Sequence, residues 1–189
     1  AQEMVSHAEL ATHGYLRLKG FPDTKALVLP DETLIVPMRD VLTNALRGVQ
    51  SIRWLADERR WEKKMLAGMK AKGAVLRLGP KHAVETILCE GFATGLSIEA
   101  AAKQLRMSAA VLVCFSDSNL VHVAPLVKGQ AYVYADHDAS GAGKRAAEAT
   151  GLPWCMAGVE GWDANDLHTE RGLFAVCHQL MDLKALATA

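Results

Sequence analysis

The chain lacks any pair of cysteines spaced for metal binding. Its four cysteines, Cys89, Cys114, Cys155 and Cys177, stand far apart and no CxxC occurs, which excludes that type of metal site. Cys89 and Cys114 fall inside apolar runs, where a thiol behaves as a small hydrophobe. All four are expected to be reduced and structural, as in a cytoplasmic protein. No apolar run reaches the roughly 18 residues of a membrane span, and no secretory leader opens the chain. A soluble protein with no membrane partner is expected. There is no surplus of either charge, since 21 basic residues meet 21 acidic ones. That neutrality by itself argues against a nucleic-acid partner. Repeats and low-complexity tracts are also missing. The chain starts at Ala1 rather than Met and reads as a piece of a longer protein.

What is present is unevenly spread. Between residues 47 and 81 there are ten Lys/Arg and three acids; between 85 and 170 there are eleven acids and five bases. Such a split suits a part that grips a polyanion beside a part that gathers metal. With half of its 189 residues hydrophobic, the chain can bury a core, and its length suits one large domain or two small ones.

The pattern predicts a small β-rich subdomain over residues 1–80 and an α/β domain over 81–189. A short helix is expected up to His13-Gly14. Strands are expected at 26–29 and 34–38 around a Pro30-Asp31-Glu32 turn, at 45–55 and at 74–78. After Pro80, apolar runs at 84–89, 110–115, 131–135 and 153–157 alternate with helical stretches at 93–105, 120–127 and 141–150. A closing helix is expected over 166–186. That alternation predicts a parallel sheet flanked by helices.

Ligands of such sheets sit beyond the carboxyl ends of the strands. The first run ends in Cys89-Glu90-Gly91, the third in Asp136-His137-Asp138, and the fourth is followed by Asp163-Ala164-Asn165-Asp166. Three strand ends thus deliver carboxylates to one rim. Asp136 and Asp138 are two apart, so both can lean the same way. Carboxylates that close repel unless a cation lies between them, and Mg2+ (or Mn2+) takes a few carboxylates while keeping waters and phosphates. Glu90 can move a proton or hold metal in the same crevice. Simpler roles are an acidic loop cap for Asp136 and Asp138, a helix N-terminal acid for Glu90, and helix capping for Asp163 and Asp166. His137 reads as a bystander, and Asn119 as a cap of the helix that follows it, with Asp117 and Ser118 sharing that task.

These residues resemble the Toprim domain, whose pattern is Glu-Gly after the first strand and Asp-x-Asp after the third. The wider match is to Toprim domains of phage and plasmid DNA primases. It includes Cys89-Glu90-Gly91-Phe92-Ala93-Thr94-Gly95-Leu96-Ser97-Ile98, Asn119-Leu120 and Asp163-Ala164-Asn165-Asp166-Leu167. Tyr15-Leu16 with Lys19-Gly20, residues 34–37 and Val49-Gln50-Ser51-Ile52 are similar to the segment that precedes the Toprim core there. The resemblance implies a Toprim fold and a metal-dependent nucleotidyltransferase making short primers. Its partners would be a single-stranded DNA template, nucleoside triphosphates and a replicative helicase. Glu90 would be the catalytic acid/base or metal-linked residue, and Asp136 and Asp138 magnesium ligands, joined by Asp163 and Asp166. The chain departs from such primases in having neither a Cys/His zinc module nor a Walker A sequence.

Lys63, Lys64, Lys70 and Lys72, with Trp54 and Trp61 interleaved nearby, are candidate nucleic-acid contacts; Lys144 and Arg145 are candidate phosphate contacts. Each is otherwise a solvated surface residue. Gly141-Ala142-Gly143-Lys144-Arg145-Ala146 fits G-x-G-x-x-A, but Asp136 and Asp138 separate it from its strand and would repel a pyrophosphate. The same Gly-Lys is no P-loop, because Asp138 and Arg145 occupy the places of a Gly and a Ser/Thr. A Toprim-type nuclease, a topoisomerase-like cleavage domain and a non-catalytic nucleic-acid-binding module remain as rivals.

Each phosphate neutralised on a single strand contributes about −0.7 to the slope of log affinity against log salt. If roughly four bases of the 47–81 stretch touch the strand, the slope is near −3. Changing Lys63 and Lys64 together to Ala should flatten it by about 1 to 1.5. Titration of a labelled oligonucleotide at several salt concentrations measures this, and an unchanged slope would make the pair a solubility feature.

Overall fold

The computed structural model describes residues 1–188. The chain divides into two compact units, Ala1–Leu76 and Arg77–Ala189.

The first unit is antiparallel. Helix α1 (Gln2–His7), strand β1 (Glu9–Ala11) and helix α2 (Gly14–Leu18) precede strands β2 (Ala26–Val28), β3 (Leu34–Asp40), β4 (Leu46–Leu55) and β5 (Arg60–Met65). Where one helix was expected up to His13-Gly14, the backbone makes a helix and a strand. Ala8 is extended and ends α1, and Glu9–Ala11 pairs with Ala26–Val28. A second helix then starts at Gly14, because the His13 ring accepts the Tyr15 amide at its N-terminus. The Pro30-Asp31-Glu32 turn joins β2 to β3 as a hairpin, with Leu27 opposite Ile35 and the Leu29 amide bonded to the Thr33 carbonyl.

Strand β5 carries no apolar alternation, and the sequence pattern gave no strand there. Its partner supplies the reason. Along β4 it faces Trp54 with Trp61 and Arg53 with Glu62, so an aromatic pair and an ion pair hold the register. Cross-strand pairs of this kind contribute about 0.2–1 kcal/mol each. Strand β6 (Ala74–Leu78) follows and pairs with the far end of β3 through Val75 and Arg39.

The second unit is an α/β layer. Strands β7 (Glu85–Cys89), β8 (Ala109–Val113), β9 (Gln130–Ala135) and β10 (Trp154–Met156) lie in the order β8-β7-β9-β10, with every pairing parallel. Buried on both faces, β8 reads as a continuous apolar run. Helix α3 (Phe92–Gln104) connects β7 to β8. Helix α4 (Asp117–Val123) and a 3-10 turn at Ala124–Leu126 connect β8 to β9, and helix α5 (Ala142–Thr150) connects β9 to β10. Helices α6 (Ala164–Arg171) and α7 (Leu173–Thr188) end the chain. They pack with α3, while α4 packs with α5. The expected single closing helix is two, because Gly172 has a φ of 82° and cannot continue α6. The Tyr134 hydroxyl donates to Gln179 Oε1, and Gln179 Nε2 donates to the Met156 carbonyl at 2.9 Å, tying α7 to the sheet.

All four cysteines are free thiols, and Cys89, Cys114 and Cys177 are buried. Among the described residues no helix is long and apolar enough to cross a membrane.

Gly95 lets α3 lie close on the strands below it. A Cβ there would run into Val113 Cγ2 and sit 3.4 Å from Cys89 Sγ and Leu78 Cδ1. Gly→Ala in an exposed helix interior gains about 1 kcal/mol. Here overpacking, typically about 1–3 kcal/mol, opposes that gain. Gly95→Ala should therefore lower the melting temperature, and a rise would refute this packing.

Candidate active site at the carboxyl ends of the parallel strands

Because β7, β8, β9 and β10 all run the same way, the residues that follow them share one edge of the sheet. Glu90 comes directly after β7, before Gly91 at the N-terminus of α3. After β8 the chain stays against it. The Cys114 amide bonds to the Cys89 carbonyl and the Phe115 amide to the Glu90 carbonyl, both at 2.8 Å. Ser116 then caps α4 by accepting the Asn119 amide. Asn119 is thus not the cap; its Nδ2 donates to the Cys114 carbonyl at 2.8 Å. This turn brings Asp117, in the first turn of α4, beside Glu90. Burial first, then the Asp117 and Asp136 charges, push the Glu90 carboxyl up to about 8, and it shares a hydrogen bond with Asp117.

Asp136 follows β9. Its Oδ1 is buried without a hydrogen-bond partner. Burial and the charges of Asp163, Asp117, Asp138 and Asp166 raise its carboxyl to about 7. Asp138 is the opposite case. Its Oδ1 accepts from the Ser140 hydroxyl and the Ala142 amide, and its Oδ2 from the Gly143 amide at 2.8 Å. Those donors, Ser140 foremost, hold it far below the usual carboxylate range. His137, between the two, is a clamp. Its Nδ1 lies 2.8 Å from the Ala157 carbonyl, and its backbone bonds to the Trp162 carbonyl and the Gly161 amide.

Asp163 and Asp166 form a capping box at the start of α6. Asp163 Oδ1 accepts the Asn165 and Asp166 amides, and its Oδ2 accepts the Thr94 hydroxyl at 2.7 Å. Asn165 Nδ2 donates to Ser97 Oγ at 3.0 Å, and Ser97 Oγ lies 3.1 Å from His168 Nδ1. Asp163 thus fixes α6 against α3 and Asp166 closes the cap, although the fields of both reach Asp136.

Among the described residues no three Asp, Glu, His or Cys side chains stand grouped ready to hold a metal. The donor chemistry nonetheless fits a hard cation. An unpaired buried Asp136 oxygen faces a cluster of acids that suppress each other's ionisation, and carboxylate oxygen is the ligand that magnesium prefers. Glu90, Asp117 and Asp136 carry that fit. Asp117 was not singled out in the sequence beyond helix capping. Yet it is the first acid after the second strand, as Glu90 is after the first.

The basic candidates are dispersed. Lys63 Nζ lies 5.4 Å from the centre of the Tyr15 ring, Lys64 pairs with Glu62 at 2.8 Å, and Lys70 and Lys72 are exposed. All four belong to the first unit. On α5, Lys144 is exposed and 3.9 Å from Glu148, while Arg145 donates to the Ser140 carbonyl at 2.8 Å. Arg145 thus braces the turn that presents Asp138.

Residues 85–173 match the family described as "Toprim domain". Among solved structures, the chain is similar to the "structure of the DnaG catalytic core". The TM-score is 0.51 and the identity 14%, over 98% of this chain and 70% of that one. At that identity the likeness is one of fold. No curated protein matches the sequence. The second unit therefore has the Toprim-type α/β fold, a parallel sheet flanked by helices, as expected from the alternation of strands and helices.

The raised carboxyls have a consequence for stability. An acid whose folded pKa lies above its ordinary one contributes stability below the ordinary pKa and loses it as pH rises through the folded value. For Asp136 that window runs from 3.8 to about 7, and for Glu90 from 4.5 to about 8. Cation-free protein should thus melt progressively lower between about pH 5 and pH 8. Asp136→Asn should blunt that decline and melt above the original protein at the alkaline end. Parallel melting curves for the two, recorded in chelator, would remove the repulsion.

Proposed function

We propose that this chain is the catalytic unit of a DNA primase of the phage or plasmid type, joining nucleotides into short primers on single-stranded DNA with Mg2+ or Mn2+. The observation that carries the reading is the half-buried pair of acids, Glu90 and Asp136, whose ionisation is suppressed by burial and by neighbouring acids at the carboxyl edge of a Toprim-type sheet. Asp136 and Glu90 would hold the cation, with Asp138 adding a charge that the Ser140 hydroxyl and the amides of the α5 N-terminus keep ionised. When bound, the ion neutralises these carboxylates and the phosphates that approach them. Asp163 and Asp166 act by their charge and by seating α6.

In primer extension a 3′-hydroxyl oxygen bonds to the α-phosphorus of a triphosphate as the bond to pyrophosphate breaks. Glu90 stands at the same edge and would take the hydroxyl proton where it is not itself bound to the cation. Asp117 shares the proton it holds. Lys144, exposed in the first turns of α5, would meet triphosphate oxygens, and the basic residues of the first unit would meet the template. A replicative helicase would be a partner of the full assembly.

A nuclease reading uses the same acids with water in place of the 3′-hydroxyl. Strand passage through a tyrosyl intermediate is disfavoured, because Tyr15, Tyr132 and Tyr134 are each no more than 1% exposed.

Glu90→Gln should lower turnover by about 100-fold or more and leave melting unchanged or raised. The assay is incubation with single-stranded DNA, labelled nucleotides and Mg2+. Extension supports the primase, shortening of the DNA supports the nuclease, and tight binding with neither product identifies a non-catalytic module. Full activity of Glu90→Gln would remove Glu90 from the chemistry.

A further inference from the structure

The first unit contains a cleft of about 720 Å³ lined by the loop before α2, the β2–β3 turn and the β4–β5 ribbon. That size lies within the range of small-molecule sites, about 300–1,000 Å³. Its walls differ in chemistry. One is aromatic: Trp61 packs at 5.1 Å from the His13 ring and 5.7 Å from Tyr15, and Trp54 stands edge-on to Trp61 at 5.3 Å. Trp61 is thereby fixed, whereas Trp54 remains 49% exposed at the rim, open to a stacking partner.

The β2–β3 turn adds acidic residues, Asp31 and Glu32, to the lining. His13 holds the turn in place. The Tyr15 amide donates to His13 Nδ1, so Nε2 carries the proton and donates to the Glu32 carbonyl at 2.9 Å. Asp31 Oδ1 accepts the Thr33 amide and its Oδ2 stays available. Glu32 has a φ of 62°, a left-handed conformation that costs a non-glycine residue about 1 kcal/mol or more and is concentrated at binding sites. Arg53 lines the rim; it pairs with Glu62 at 2.9 Å through Nε, and its side chain is 55% exposed. Lys63 and Lys64 continue the same ribbon.

We propose that this cleft takes a single unstacked nucleobase of single-stranded nucleic acid and favours bases that carry an exocyclic amino group. The inference rests on the reading of the chain as a nucleic-acid enzyme and assigns one contact within it. An aromatic platform is indifferent to sequence, because every base has a π-face. The acidic turn is not. It accepts hydrogen bonds from the amino group of cytosine or adenine and faces the O4 acceptor of thymine unfavourably. Two carboxylates would also repel a phosphate, so the base enters and the backbone stays outside, against Arg53 and the lysines of β5.

The test uses the full chain and three short oligonucleotides of equal charge: oligo-dC, oligo-dT and an abasic strand. Binding is followed by tryptophan fluorescence in chelator, so that no turnover intervenes. The expected order is dC tighter than dT and dT tighter than abasic, with quenching only by the base-bearing strands. Trp54→Ala should weaken dC binding roughly 5- to 100-fold and leave the abasic affinity unchanged. Trp54→Phe should recover part of the loss. Asp31→Asn combined with Glu32→Gln should bring dC and dT together. Equal affinity for all three strands, or a Trp54→Ala variant that binds dC as the original does, would overturn the proposal. The two readings fail separately: absent primer synthesis with base selectivity intact strikes the enzyme, and synthesis without base selectivity strikes the cleft.

Discussion

Glu90 and Asp117 can lie side by side at the edge of this sheet only if a proton or a cation stands between them. Everything else in the second unit places them there. The parallel register of β7 with β8 and β9 brings three chain crossings to one edge, and the Cys114 and Phe115 amides tether the second crossing to the first. The hydrophobic interior below, with β8 buried along its whole length, keeps water from screening the charges. The fold therefore holds an electrostatic demand that its own side chains leave unmet, since Asp136 Oδ1 has no donor.

The two aspartates of the Asp-x-Asp pair show how far environment outweighs residue type. Asp138 sits on backbone amides at the start of α5 and keeps its charge even in acid, whereas Asp136 is sunk among other acids and ionises only near neutrality. The Ser140 hydroxyl and the amides at the start of α5 keep Asp138 charged, whereas burial and neighbouring acids hold Asp136 up. A fixed charge and a negotiable one, two residues apart, form a site that already distinguishes its ligands before any ligand arrives.

Much of this was legible in the residues. Apolar runs bounded by Gly and Pro located β7, β8, β9 and β10, and the acids after them located the edge. Local patterning failed where a distant partner decides. The strand Arg60–Met65 is charged and owes its conformation to Trp54 and Arg53 on the neighbouring strand. The closing helix looked continuous because Gly172 is a single break within a long helix-forming stretch. Asp117 looked like a cap since its role depends on Glu90, 27 residues earlier in the chain, and only the parallel pairing shows that they meet. The capping pattern of Asp163 and Asp166 was plain, but that Thr94 occupies the remaining oxygen of Asp163 was not.

Gly143 sits between the two aspartates in a literal sense. Its amide holds Asp138 Oδ2, and a side-chain carbon on it would collide with the backbone of Asp136. The span between the pair is thus a backbone dimension, fixed by the first turn of a helix rather than by rotamers. A side chain could adjust to guests of several sizes; a helix turn works as a gauge. Whatever accommodation this edge makes must come from the other bank, where Glu90 follows its strand.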